Sequence, residues 1–322
     1  MKKAMFLILA CMLTLTMVTA CGSAAQAPAA QTPVQEEPVP EAPAPEAPAP
    51  EAPAPEQPAS NFDDRREITV VSRESGSGTR SAFIELTGVE VRDGDTTTDM
   101  TSPEAVIGNG TNVIMTNVAG DTYAIGYIST GSVDDTIKTV SIDGVEPTQA
   151  TILNGNYKLA RPFIVVTMDN LSAVAQDFLD FIISAEGQEI IAEKYVPIDQ
   201  NAPSFESNRA SGTIVIGGST SVSPVIEVLA EAYQEINLEA SIEVHATGSG
   251  AGITGAIDGV VDIGMSSREI KDSEMESLYQ QITIAIDGIA VIVNKDNPLN
   301  NLTLEEVREI FVAEKTRWSD VG

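Results

Sequence analysis

The chain is poor in the residues that crosslink, ligate metals or titrate near neutrality. Its 322 residues include two cysteines, Cys11 and Cys21, one histidine, His245, and one tryptophan, Trp318. Cys11 lies inside an apolar leader that is expected to be removed, so Cys21 stands alone and an intramolecular disulfide is excluded. No Cys/His cluster has metal-ligand spacing, and neither a metal nor another cofactor is implied. Cations are scarce too: 18 Lys and Arg face 47 Asp and Glu, a formal net charge of -29. Such a surface repels a polyanion along its whole extent, which argues against nucleic acid as a partner. The apolar stretch Ala4–Met17 is too short to span a bilayer comfortably.

What is present begins at the leader. Lys2 and Lys3 form a positive n-region ahead of that apolar stretch, and Val18-Thr19-Ala20-Cys21 follows. The tetrapeptide resembles a bacterial lipobox, which implies removal of residues 1–20 and lipidation of Cys21, with the protein anchored on the extracytoplasmic face of the cell membrane. The blander alternative is a signal peptide with a chance cysteine. Residues 21–60 hold almost no large apolar side chains and repeat Glu-Ala-Pro-Ala-Pro from Glu41 onward. Proline at that density favours extended polyproline II, a semi-rigid spacer with a reach on the order of 100 Å at about 3.1 Å per residue. The same pattern could serve as a ligand for a partner domain. The remainder is long enough for two domains of ordinary size.

Three loops carry the chemistry. The run Ser72-Arg73-Glu74-Ser75-Gly76-Ser77-Gly78-Thr79 follows the apolar Ile68–Val71 and leads into a helix through Arg80 and Phe83. Gly217-Gly218-Ser219-Thr220-Ser221-Val222-Ser223-Pro224 follows the strand Thr213–Ile216 and opens a helix, with Ser223 expected as N-cap and Pro224 as its first residue. Thr247-Gly248-Ser249-Gly250-Ala251-Gly252 follows the strand Ser241–Val244 and leads into a short helical stretch, Ile253–Ile257. A strand that runs into a glycine-rich turn and a helix start aims unpaired N–H groups and the positive end of the helix dipole at one point. One such loop also reads as an ordinary Gly/Ser turn. Three together, rich in hydroxyl donors and without a Gly-Lys-Ser/Thr phosphate loop, point to a free inorganic anion, with Arg73 as a guanidinium fork suited to a tetrahedral oxyanion.

These segments resemble the phosphate-binding proteins of bacterial ABC phosphate importers. Thr213–Ser221 is similar to that family's opening strand and loop, Gly248–Gly252 and Val261–Arg268 to its second and third ligand segments, and Arg73–Thr79 to its fourth. The order departs from the family: residues 211–322 followed by 66–199 restore the usual one. This resembles a circular permutation with residues 200–210 as linker, although the end of one gene copy joined to the start of another would read alike. The resemblance implies a type II periplasmic-binding-protein-like α/β fold, with lobe I from 162 to 287, lobe II from 66–161 plus 288–322, and the ligand between them. It implies phosphate ligands Thr220, Ser221, Ser249 and Ser267 from lobe I and Arg73, Ser77, Gly78 and Thr79 from lobe II.

Strands at 68–71, 213–216, 242–244 and 284–293 and helices at 173–195, 224–236 and 304–311 are predicted. Ser267 stands where some family members place an aspartate, so phosphate over sulfate follows from the resemblance alone, unless Glu74, Asp262 or Asp287 faces the cleft. Asp262 and Asp287 are more simply fold or turn carboxylates, and Glu74 could pair with Arg73 and orient it. His245 near Ser249 is set aside as a catalytic pair, because no Gly-x-Ser-x-Gly elbow accompanies it. Tyr123, Tyr127 and Phe163 read as core or cleft wall. The implied role is a non-enzymatic, monomeric solute-binding lipoprotein that delivers inorganic phosphate to the transmembrane subunits of an ABC permease. A surface phosphate sensor or scavenger without a permease is the alternative; a phosphoryl hydrolase lacks metal ligands and an activated nucleophile.

Overall fold

The computed structural model describes residues 62–94 and 96–322; the leader, Cys21 and the tether through residue 60 lie outside the described residues. In chain order the elements are β1 (Thr69–Arg73), α1 (Gly78–Thr87), β2 (Glu90–Asp93), β3 (Thr96–Asp99), β4 (Val106–Gly108), α2 (Thr111–Gly120), β5 (Ala124–Ser129), β6 (Ile137–Ile142), α3 (Gln149–Leu153), β7 (Ala160–Thr167), α4 (Ala173–Ile182) and α5 (Ala185–Ala192). They continue with β8 (Val196–Pro197), β9 (Gly212–Gly218), α6 (Ser223–Ile236), β10 (Ala240–Ala246), α7 (Ser249–Ile257), β11 (Ile263–Ser266), α8 (Asp272–Met275), β12 (Gln280–Asn294), β13 (Asn301–Leu302) and α9 (Leu304–Phe311).

One mixed sheet runs β10-β9-β11-β7-β12-β5-β1-β4, with β6 and β8 also on β12 and β13 on β6; β2 and β3 form a separate hairpin. The parallel pairs β9/β10, β9/β11 and β1/β5 come from strand-helix-strand units. Strand β12 joins the two ends of this sheet: Gln280–Gly288 pair with β7 and Ile289–Val293 with β5. Its near-continuous apolar run is what burial on both faces requires.

Two main cores sit on this strand. One, whose surroundings are called lobe I, gathers Phe163, Phe178, Phe181, Ile214, Ile216, Leu229 and Tyr233. The other, whose surroundings are called lobe II, gathers Phe83, Tyr127, Tyr157, Ile289, Val291, Phe311 and Trp318, and takes Val196 of β8 as well. Phe83 stacks on Tyr127 with centroids 3.8 Å apart. Tyr127 and Phe163 are fully buried, whereas Tyr123 is half-buried.

Several local expectations are corrected. Residues 173–195 form two helices, because Ser184 accepts a bond from the Gly187 N–H (3.3 Å) and caps a new start. Ser223 is inside α6 rather than its cap. Buried Val222 takes the cap position without a side-chain bond, and the Ser223 hydroxyl donates to Glu227 Oε1 at 2.9 Å. Helix α7 begins at Ser249, inside the glycine-rich loop, not at Ile253. Residues 202–211 have no regular structure but are held down: Ser207 Oγ and the Asn208 N–H donate to buried Asp177 at 2.7 and 2.8 Å. The start of β1 meets the end of the chain, with Glu67 bridged to Arg317, the Ile68 N–H donating to the Thr316 carbonyl (2.8 Å) and the Trp318 N–H to the Arg66 carbonyl (3.3 Å).

Candidate functional site

Strands β1, β9, β10 and β11 all end at one place, and α1, α6 and α7 start there. Parallel strands put their carboxyl ends, and the N-termini of the helices that follow, on the same edge of the sheet. From lobe II, Ser77 caps α1 by accepting from the Arg80 N–H at 3.2 Å, which leaves the N–H groups of Gly78 and Thr79 in the open first turn. From lobe I, Gly218 turns the chain at φ 139°, and a Cβ there would lie 2.3 Å from the Met265 carbonyl oxygen. That close approach sets the Ser219–Ser221 segment against β11; only glycine allows it.

The structure brings all eight sequence-derived residues together. Arg73 Nη2 donates to Thr220 Oγ1 at 2.8 Å, and the Thr79 and Ser221 hydroxyls share a bond of 2.9 Å, both between lobes. Arg73 Nη1 also reaches Thr79 Oγ1 at 3.4 Å. Gly78 faces Ser249 and Ser267 so closely that a Cβ on it would lie 2.3 and 2.8 Å from their hydroxyl oxygens. The Gly250 N–H donates to the Gly76 carbonyl at 3.1 Å, closing the same seam. Apart from half-buried Thr220, these side chains are buried.

Charge is concentrated on one side. Arg73 is 1% exposed and forks onto Glu74, Nη2 to Oε1 at 2.7 Å and Nε to Oε2 at 2.8 Å, and Glu74 also accepts the Gly110 N–H at 3.1 Å. Burial pushes the Glu74 carboxyl up, but the bonds from Arg73 outweigh it and hold the group below the usual range. The Tyr127 hydroxyl accepts the Arg73 N–H (3.2 Å) and shares a bond with Ser72 Oγ (2.9 Å), while its burial raises its pKa, so it stays a neutral phenol. Glu74 therefore orients Arg73.

Asp262 accepts the Val215 N–H at 2.8 Å and serves the fold. Asp287 is fully buried against Arg161. His245 is exposed beside Glu243, whereas Ser249 is buried.

Sequence reasoning missed three contributors. Ser219 donates to Ser267 Oγ at 2.8 Å and begins a hydroxyl chain that continues to Ser249 Oγ at 3.4 Å; its place inside the Gly217–Pro224 motif was the available signal. Thr111, at the start of α2, meets Thr220 Oγ1 at 3.3 Å, and Gly108-Asn109-Gly110 before it is a further glycine-rich loop leading into a helix. Arg161 donates to the Ser267 carbonyl at 3.0 Å, and nothing in its local sequence marks it. Among the described residues no group of three or more His, Cys, Asp or Glu is placed to hold a metal ion. Hydroxyls, open helix starts and one oriented guanidinium form a donor set for a tetrahedral oxyanion.

The PBP superfamily domain family matches residues 60–186 and 203–322. The phosphate-binding protein PstS 2 of Streptococcus agalactiae is 43% identical over 267 residues, 82% of this chain and 90% of that protein. A crystal structure of a phosphate-binding protein of a phosphate ABC transporter from Streptococcus pneumoniae superimposes with a TM-score of 0.65 at 43% identity, covering 80% of this chain and all of that one. The phosphate-binding protein PstS of Staphylococcus saprophyticus is 34% identical, but over 124 residues, 36% of this chain and 39% of that protein.

Proposed function

Since the chain belongs to the PBP superfamily and, within it, to the PstS-like phosphate-binding proteins of ABC phosphate transporters, we propose that it captures inorganic phosphate between its lobes and delivers it to the transmembrane subunits of such a transporter. The observation that carries this reading is the meeting of Arg73, Ser77, Gly78 and Thr79 from one lobe with Thr220, Ser221, Ser249 and Ser267 from the other. Bonds to a charged partner contribute about 1.5–3 kcal/mol each, so a set of this size, less the cost of association, supports micromolar or tighter affinity. Ligands on both lobes make binding favour closure.

The protein acts outside the cytoplasm as a monomer held through lipidated Cys21, and it is not an enzyme. Lobe II comprises 66–161 with 288–322, and lobe I 162–287. The order of segments is a circular permutation. The match over 90% of the streptococcal relative supports an inherited order against an accidental gene junction. The contact of residues 66–68 with 316–318 is the junction such a rearrangement needs. Calorimetric titration of the protein with phosphate and, separately, sulfate tests the reading. Saturation near one phosphate per chain is expected; a folded protein that releases no heat with phosphate would overturn it, and tighter binding of sulfate would move the assignment to that anion.

A further inference from the structure

Arg161 and Asp287 face each other in the register of β7 and β12, where the chain crosses between the lobes. They are 3% and 0% exposed. Arg161 Nη2 and Nε donate to Asp287 Oδ2 at 3.0 and 3.2 Å, and Arg161 Nη1 donates to the Ser267 carbonyl at 3.0 Å. The other carboxylate oxygen, Asp287 Oδ1, accepts from Ser129 Oγ at 2.9 Å and Thr130 Oγ1 at 3.0 Å, at the end of β5. One continuous polar path thus leads from the end of a lobe II strand, through a buried ion pair, to the peptide of an anion-site residue in lobe I. A buried ion pair is a costly way to fill space, and well-packed apolar residues do so as well or better. What an apolar pair could not do is hold the Ser267 carbonyl.

We propose that Arg161 is a positioning residue for anion binding: aimed by Asp287, it holds the Ser267 carbonyl and so fixes the backbone of that residue, keeping its N–H and hydroxyl in line with Ser249 and Gly78, and it ties that placement to Ser129 and Thr130 of the other lobe. The Ser267 N–H already lies 3.1 Å from Ser249 Oγ. This rests on the phosphate-binding reading above.

The test compares the full chain with its R161M/D287L and R161K variants. Three quantities are measured: the phosphate Kd, the melting temperature without phosphate, and the Ser267 amide resonance without phosphate. The apolar double variant leaves no unpaired buried charge, so it is expected to melt within a few degrees of the parent. Its phosphate affinity should fall at least about tenfold, with a shifted Ser267 resonance. Lysine reaches Asp287 or the Ser267 carbonyl but cannot fork to both, so R161K should fall between the two. Affinity unchanged in both variants overturns the proposal, as does a loss of affinity that only follows the melting temperature. If the parent chain takes up no phosphate, the functional reading fails, and the resonance comparison still decides the positioning: an unmoved Ser267 amide in both variants overturns it.

Discussion

The two lobes bring unlike chemistry to the same cleft. Lobe II contributes charge, an arginine forked onto its neighbouring glutamate and backed by a tyrosine hydroxyl. Lobe I contributes no formal charge among the ligand candidates, only hydroxyls and N–H groups on glycine-tight turns, linked as Ser219, Ser267 and Ser249. The difference separates two tasks. A guanidinium draws an oxyanion and sets how strongly it is held, whereas neutral donors fixed by packing set which shape fits. It also explains how a chain of formal charge -29 can hold an anion: the attraction is local, while distant carboxylates are screened over about 8–10 Å.

The comparison breaks most sharply at Arg73. Arg73→Ala removes the cation and leaves Glu74 unpaired beside the anion, so phosphate affinity should fall more than about 100-fold in calorimetry; a loss below tenfold would mean that charge is not lobe II's contribution. Gly78→Ala is next. A Cβ 2.3 Å from Ser249 Oγ must hold the lobes apart, and a loss of roughly 10- to 100-fold with a more open shape in small-angle scattering is expected. Ser219→Ala removes one neutral bond behind Ser267, worth about 1 kcal/mol, or roughly fivefold in Kd, and a loss as large as that of Arg73→Ala would erase the division between the lobes.

The smallest effect is on stability in acid. The Thr303 N–H and hydroxyl donate to Glu306 at the start of α9, and with the Gly322 N–H they hold its pKa at about 2, against 4.5 for the free side chain. A depressed carboxyl pKa stabilises the fold fully above the unfolded value, and the contribution is lost as pH falls from about 4.5 towards 2. Glu306→Gln should flatten that part of the pH profile while leaving phosphate affinity at neutral pH unchanged. Hydrogen exchange in acid should open α9 sooner in the parent than in Glu306→Gln; equal rates would mean that Glu306 does not carry the loss.

Local signals carried much of this. The strand-loop-helix reading at Arg73–Thr79, Gly217–Pro224 and Thr247–Gly252 needed only glycine, hydroxyls and an apolar run, and those features are local in physics as well as in sequence. Boundaries failed where packing overrode propensity. The apolar spacing from Ala173 onward reads as one helix, but polar Ser184 restarts it, and α7 starts among glycines, where the Thr247 and Gly248 N–H groups both donate to the Gly218 carbonyl at 2.8 Å and set Ser249 at the helix start. Arg161 was illegible for a different reason: its bond to the Ser267 carbonyl joins residues 106 positions apart, and only the sheet register brings them together. Glu74 was half legible. Its adjacency to Arg73 suggested a pair, but the Gly110 N–H that shares its carboxylate comes from 36 residues away.

The seam between the start of β1 and the end of the chain has a mechanical consequence. Tension arriving from the amino-terminal side enters at Phe62, whose ring lies 5.1 Å from that of Tyr123 and 5.9 Å from that of Trp318. It must strip those rings apart and shear the Glu67–Arg317 bridge and the Ile68–Thr316 bond before it reaches Thr69. Only β1 then separates the load from Arg73. Under such a load the seam would act as a strain relief, like the grommet where a cable enters an instrument, and the guanidinium would stay aimed.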